Sequence, residues 1–443
     1  MAGILHKDDN NHIFLWCAKA NGLRFLSNFA NMLSNIKVYS SKEMQSSAGI
    51  QSLQATLVRL SFFNLLLVSL IGLLMRSFSF FDSFPLEYKN ILHGHSHFAF
   101  GGWVMPILLA LFLKSFPELA EKVSYYHWRN ITVLMLASAY GMLLSFPAEG
   151  YKAVSITFST LSIASGYYMA VVIWKAMKGT ELKTSHRFIK WALIYFVISA
   201  VGPFATGPLI AMGKQGSPIY FDAIYFYLHF QYNGFFTFII LAFFYRMFGE
   251  KRNMKHSKKV FAFFNLACVP AYALSLLWSQ PSVIFNIIGG IGALLQLIGL
   301  FYLLQDVKAV EWRKTWINHL LLFSLVAFSA KIILQFFSAF PSIASLAYYQ
   351  RNFVIAYLHL VLLGFISAFV FAQVFASMQN VKSVKQGLLL FLFSFISTEL
   401  LLVLNAFSLS VPYYTQLLVL FTVFFPLGIL WMNVGVRKSP VIV

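Results

Sequence analysis

The sequence predicts an all-α polytopic membrane bundle of about 12 transmembrane helices. Three observations carry that reading. Hydrophobic residues make up 59% of the 443 residues and charged residues only 11%, where a soluble domain keeps about a quarter charged. The apolar residues gather into runs of the ~20 residues that cross a bilayer as helix. The cations gather in alternate loops between those runs. A soluble enzyme, a disordered chain, a disulfide-stapled secreted domain and a barrel of alternating strands are all excluded.

The runs fall at approximately 56–76, 94–115, 130–147, 153–177, 188–212, 219–247, 260–279, 283–305, 316–338, 348–377, 385–408 and 413–435. Pro203 and Pro208 lie inside the fifth, which a membrane helix tolerates when neighbours re-satisfy the backbone. Lys175, Lys178, Lys183, Arg187 and Lys190 follow the fourth run, and Arg246, Lys251, Arg252, Lys255, Lys258 and Lys259 the sixth. Lys308, Arg313 and Lys314 follow the eighth, Lys382 and Lys385 the tenth, and Arg437 and Lys438 the last. Positive loops stay inside, so both termini are expected in the cytoplasm of a cell with the protein in its (inner) membrane. The net charge of +19 is then read as topology and contact with anionic lipid, with no nucleic-acid partner.

Residues 1–54 read as a polar N-terminal cytoplasmic segment, 55–437 as the twelve-span domain and 438–443 as a cytoplasmic tail. No cleaved signal peptide is expected, and Met44 is an alternative start. Cys17 and Cys268 are far apart and draw neither a disulfide framework nor a metal motif.

One repeat carries functional information. His97-Phe-Ala-Phe-Gly-Gly102-Trp103, His229-Phe-Gln-Tyr-Asn-Gly234-Phe235 and His359-Leu-Val-Leu-Leu-Gly364-Phe365 each place a glycine five residues after a histidine, with an aromatic next. The copies lie 132 and 130 residues apart, in runs two, six and ten. A repeat at fixed spacing points to three four-helix units in a pseudo-threefold arrangement. Three intramembrane imidazoles at similar depth point to metal or haem ligation, because histidine there is costly. The glycines would let a flat macrocycle or another helix approach closely.

The stretch His95-Ser-His97-Phe-Ala-Phe-Gly-Gly-Trp103 is similar to the HxHxxxxGW pattern of small oxidase-like membrane proteins. Ala356-Tyr357-Leu358-His359-Leu360-Val361-Leu362 is similar to the tenth-span AHxHxVL pattern of the haem-copper oxidase catalytic subunit. Over roughly 55–437 the chain resembles that superfamily, which also has twelve spans and three four-helix arcs. The resemblance implies at least one haem b with His97 and His359 as axial ligands, His95 or His93 competing for the span-two role. It implies Arg351 as a partner for a haem propionate, and His229 and Tyr357 at a second metal or haem position, copper included. Run seven lacks the two adjacent histidines that the superfamily gives to copper, so a complete oxygen-reducing centre is not expected. Ser408 to Tyr414 also lacks the superfamily's arginine pair.

The expected function is therefore haem-based electron transfer, with oxidoreductase chemistry on a small gas such as oxygen or nitric oxide if the second position is filled. A redox partner or other membrane subunits would accompany it in the lipid bilayer. A second resemblance is to multi-span haem- and copper-containing proteins of the nitrogen-oxide stress response. Two further readings are a transporter built around the buried Lys331 and Glu399, and an assembly subunit that keeps the fold without cofactors.

Overall fold

In hydrocarbon a backbone N–H or C=O without a partner costs several kcal/mol, so each crossing segment closes its hydrogen bonds within itself as helix. The computed structural model of the chain describes residues 47–249, 254–378 and 381–438, and contains no strand among them. Twelve long helical runs follow one another. They are α1 (Ser47–Arg76), α2 (Tyr88–Ser115), α3 (Tyr125–Glu149), α4 (Ala153–Ala176), α5 (Thr184–Ala211), α6 (218–249), α7 (Ser257–Ser279), α8 (Ile284–Lys308), α9 (Trp316–Phe337), α10 (Arg351–Met378), α11 (Lys382–Ala406) and α12 (Tyr414–Lys438). Eleven are each long and apolar enough to cross a bilayer. The twelfth, α6, is four successive pieces: Pro218–His229, Phe230–Phe236, Thr237–Phe244 and Tyr245–Gly249.

The helices begin and end within a few residues of the apolar runs, with two informative exceptions. Helix α1 starts at Ser47, inside the stretch read as polar, because Ile50, Leu53 and Leu57 recur on one face and are buried. The 54/55 boundary therefore falls within a helix; Cys17 and Met44 lie outside the described residues. Helix α2 starts at Tyr88, six residues earlier than 94, which places His93 on the helix instead of in a loop.

Consecutive helices pack side by side around the molecule, and α12 returns against α1. There Asn433 Nδ2 donates to the Phe62 carbonyl at 2.9 Å. Every fourth helix lies inside. The stretches Gly101 to Leu113 of α2, His229 to Tyr245 of α6 and Gly364 to Ala372 of α10 are buried without interruption. Phe100 of α2 meets Tyr232 and Phe236 of α6, and Trp103 Nε1 of α2 donates to Ser367 Oγ of α10 at 3.3 Å. These three inner helices, one to each group of four, are the pseudo-threefold arrangement that the repeat implied. By contrast α8 exposes Ile284, Ile287, Ile291 and Leu294, as a lipid-facing helix does.

Lipid tails are as apolar as leucine, so close van der Waals packing must supply the association between helices. Helices α11 and α12 obtain it at facing glycines. A Cβ built on Gly387 would stand 2.5 Å from the Gly428 carbonyl oxygen, and one on Gly428 2.6 Å from that of Gly387. Gly428→Val would force these backbones apart, at ~1–3 kcal/mol for overpacking. A lowered thermal midpoint in detergent is expected, whereas Leu427→Val on the exposed side of α12 should leave it within a degree or so.

Candidate functional site

Helix geometry changes at the three repeated histidines. Within two residues of His97, His229 and His359 the α-helix widens to π-helix, over Ala99–Val104, Phe230–Phe236 and Leu360–Ser367. A π turn displaces carbonyls from their usual donors and is frequent at functional sites. Polar side chains take up those carbonyls here. Asn64 Nδ2 donates to Gly102 O at 2.6 Å, Thr237 Oγ1 to Tyr232 O at 2.6 Å, Ser367 Oγ to Leu362 O at 2.8 Å and Ser324 Oγ to Phe365 O at 2.7 Å. The repeated glycines sit inside these turns. A Cβ on Gly234 would meet Tyr195 of α5 at 2.5 Å, and one on Gly364 would meet Phe395 of α11 at 2.9 Å, so both seat an aromatic from a neighbouring helix.

His359 lies between α10 and α11, its Nδ1 3.0 Å from Glu399 Oε1. A carboxylate there fixes Nδ1 as the protonated nitrogen and leaves the Nε2 lone pair available. His95 reaches towards the same place from α2. Its ring packs on α1, where a Cβ on Gly72 would touch Cε1 at 3.4 Å. His95 interacts electrostatically with both His359 and Arg76, the last residue of α1. Arg76 in turn interacts with Glu399 and Tyr414. The His95 Nδ1 is buried without a hydrogen-bond partner. One imidazole braced by a carboxylate and one with an unpaired ring nitrogen are residues of the kind that could hold a haem.

His97, expected as the span-two ligand, is placed differently. Two residues along a helix separate side chains by roughly 200°, and His97 faces α3. Its ring stacks on Phe146 at 4.6 Å with 7° between planes, and its Nε2 shares a 3.1 Å hydrogen bond with the Tyr151 hydroxyl. His93, one turn earlier, packs its ring against Tyr151 at 4.7 Å. His95 and His97 thus face different neighbours, His95 towards α1 and His97 towards α3. Arg351 is exposed at the start of α10, and the arginine that meets the histidine pair is Arg76.

At His229 both ring nitrogens are engaged. Pro270 has no N–H, and α7 tightens to 3₁₀ helix over Pro270–Ser279. The Tyr272 N–H bonds Val269 O, so the Cys268 carbonyl lacks its α-helical donor. His229 Nε2 donates to it at 2.8 Å, and Nδ1 accepts from Asn233 Nδ2 at 3.1 Å. Lys331, 1% exposed, stands over the Phe328 ring at 5.6 Å and interacts electrostatically with His229. Among the described residues no three His, Cys, Asp or Glu side chains gather as metal ligands. A saturated imidazole beside a lysine does not fit copper, and the structure does not bring His229 and Tyr357 together. Nor does Lys331 meet Glu399, whose partner is His359.

Three partners in these networks were not apparent from the sequence. Arg76 closes a run whose other charge is Arg59, Tyr151 sits in a connection, and Asn233 is one helical turn from His229. Of these, Arg76, a charge at a span's end, carries a signal that sequence reading could have used.

No family model and no curated protein matches the chain. Among solved structures it is similar to a chain of a heme-copper terminal oxidase dimer determined by cryo-EM, with a TM-score of 0.62, 12% identity and coverage of 88% of this chain and 84% of that one. The chain therefore has the fold of a heme-copper terminal oxidase. His229→Leu would strand the Cys268 carbonyl, at ~1–3 kcal/mol. The expected outcome is a lower thermal midpoint with the copper content of the purified protein unchanged; loss of bound copper would show the imidazole to be a ligand.

Proposed function

We propose that the protein is a haem-binding electron carrier of the membrane, built on this oxidase fold, with His95 and His359 as the two axial ligands. The observation that carries the proposal is the His359–Glu399 hydrogen bond together with the buried, partnerless Nδ1 of His95. Bound there, a b-type haem held by His95 and His359 would supply one-electron transfer.

The chain's own residues do the rest. Glu399 orients the His359 ring and holds its proton on Nδ1, which raises the basicity of Nε2. Arg76 offsets the Glu399 charge in a medium where an unpaired ion is costly. Gly72 leaves room for His95 against α1. Saturation of both His229 nitrogens supports electron transfer over reduction of oxygen or nitric oxide, because a second redox centre would have to displace two hydrogen bonds. The transporter reading expects Lys331 or Glu399 in a central cavity; Lys331 is instead buried over the Phe328 ring and Glu399 is bonded to His359. A redox partner or neighbouring subunits would deliver and accept the electrons. By the loop charges, the histidine pair would face outwards, with both termini in the cytoplasm.

A reduced-minus-oxidised visible spectrum of protein purified from haem-replete cells tests this. Sharp α and Soret bands with about one iron per chain are expected, lost in His95→Ala and in His359→Ala and kept in His97→Ala. A colourless, iron-free protein would overturn the proposal. Glu399→Gln should retain haem and raise its midpoint potential by about 60 mV, a tenfold shift in a one-electron equilibrium, because a neutral amide donates less charge through the imidazole. Redox titration reads that shift directly.

A further inference from the structure

With the axial role on His95, which rests on the reading above, His93 and His97 are left over. They stand four residues apart on α2, one above the other on a single helix face, the spacing by which two imidazoles share a metal ion. Both rings lie against the same two residues of the α3–α4 region. His93 packs on Phe146 at 6.0 Å and Tyr151 at 4.7 Å, and His97 on the same pair at 4.6 and 6.3 Å.

Backbone geometry brings the phenol there. Gly94 lies against Pro147, where a Cβ would stand 3.0 Å from the proline ring, so α2 and α3 run close together. After α3 the chain reverses at Gly150, whose φ of +67° suits glycine, and Tyr151 is laid across the histidine face. Its hydroxyl is 3.1 Å from His97 Nε2. The Nε2 of His93 is buried and has no hydrogen-bond partner. An orphaned buried imidazole nitrogen is costly, and a cation is one partner that satisfies it.

We infer that His93, His97 and Tyr151 form a binding site for a borderline divalent cation, with Zn²⁺ as the natural probe. Two imidazole nitrogens are ligands that zinc takes, and the Tyr151 hydroxyl, on giving its proton to solvent, would be an oxygen ligand, with water completing a tetrahedron. The site lies on α2, on the far side of the helix from the His95–His359 pair, and would be filled independently of haem. His97 also lines a small cleft between α2, α3, α4, α5 and α6, together with Met135, Met142, Ser162, Tyr227 and Gln231. A cation at His97 would stand at the border of that space.

The test is zinc binding to the purified full-length protein by competition with a chromogenic chelator, with haem absorbance recorded on each sample. Wild type should bind one Zn²⁺ that His93→Ala and His97→Ala weaken by about 100-fold, and the zinc K-edge spectrum should contain two imidazole shells. Tyr151→Phe keeps the ring packing on Phe146 and His93 and removes only the oxygen, so it reports on ligation even if an alanine variant misfolds; a loss of about tenfold is expected. Unchanged affinity in both histidine variants and in Tyr151→Phe would overturn the site, whatever the haem content. Loss of the Soret band in His97→Ala, with His95→Ala retaining it, would return His97 to the haem and overturn both assignments.

Discussion

Everything at the centre of this molecule depends on satisfying backbone carbonyls where the helix turn widens. Water is absent from the bilayer core, so a displaced carbonyl has only protein to turn to. Three inner helices each widen beside a repeated histidine, and each widened turn is answered by a side chain that donates to a displaced carbonyl. Asn64 reaches from α1, Ser324 from α9, and Thr237 and Ser367 from within their own helices. Tyr140 of α3 in turn donates to Asn64 Oδ1. These donors fix the rotation of α2, α6 and α10, and rotation decides which neighbour each histidine meets.

Ring-nitrogen occupancy then separates histidines that look alike in sequence. His229 spends both nitrogens on protein partners, one of them a carbonyl left free where α7 tightens to 3₁₀ helix. His359 spends one on Glu399, and His95 leaves one unpaired. The same imidazole is therefore closed to ligation on α6 and open to it on α2 and α10.

Much of the architecture was legible from hydrophobic run length and alternating loop charge, because the bilayer imposes both directly. The repeat was legible too, and it marks the three inner helices. The roles of His93, His95 and His97 were not separable, because a two-residue spacing says that they diverge without saying which way each faces. That answer depends on Gly72, Gly94 and the widened turn after Phe98, three features of neighbouring backbone. The partner of His229 was hidden for a related reason: it is a main-chain oxygen left free by a 3₁₀ turn on another helix. The early start of α1 was masked by polar residues on the face opposite Leu53 and Leu57.

Helix α6 is enclosed by protein along seventeen consecutive residues, His229 to Tyr245. Its surroundings are other side chains, packed as tightly as in a water-soluble core. A thinner membrane, a different lipid or a detergent belt acts on the outer helices, such as α8, and reaches α6 only through them. The middle of the protein is thus insulated from the composition of the bilayer that carries it, and its geometry should persist from one membrane to another while the rim adapts.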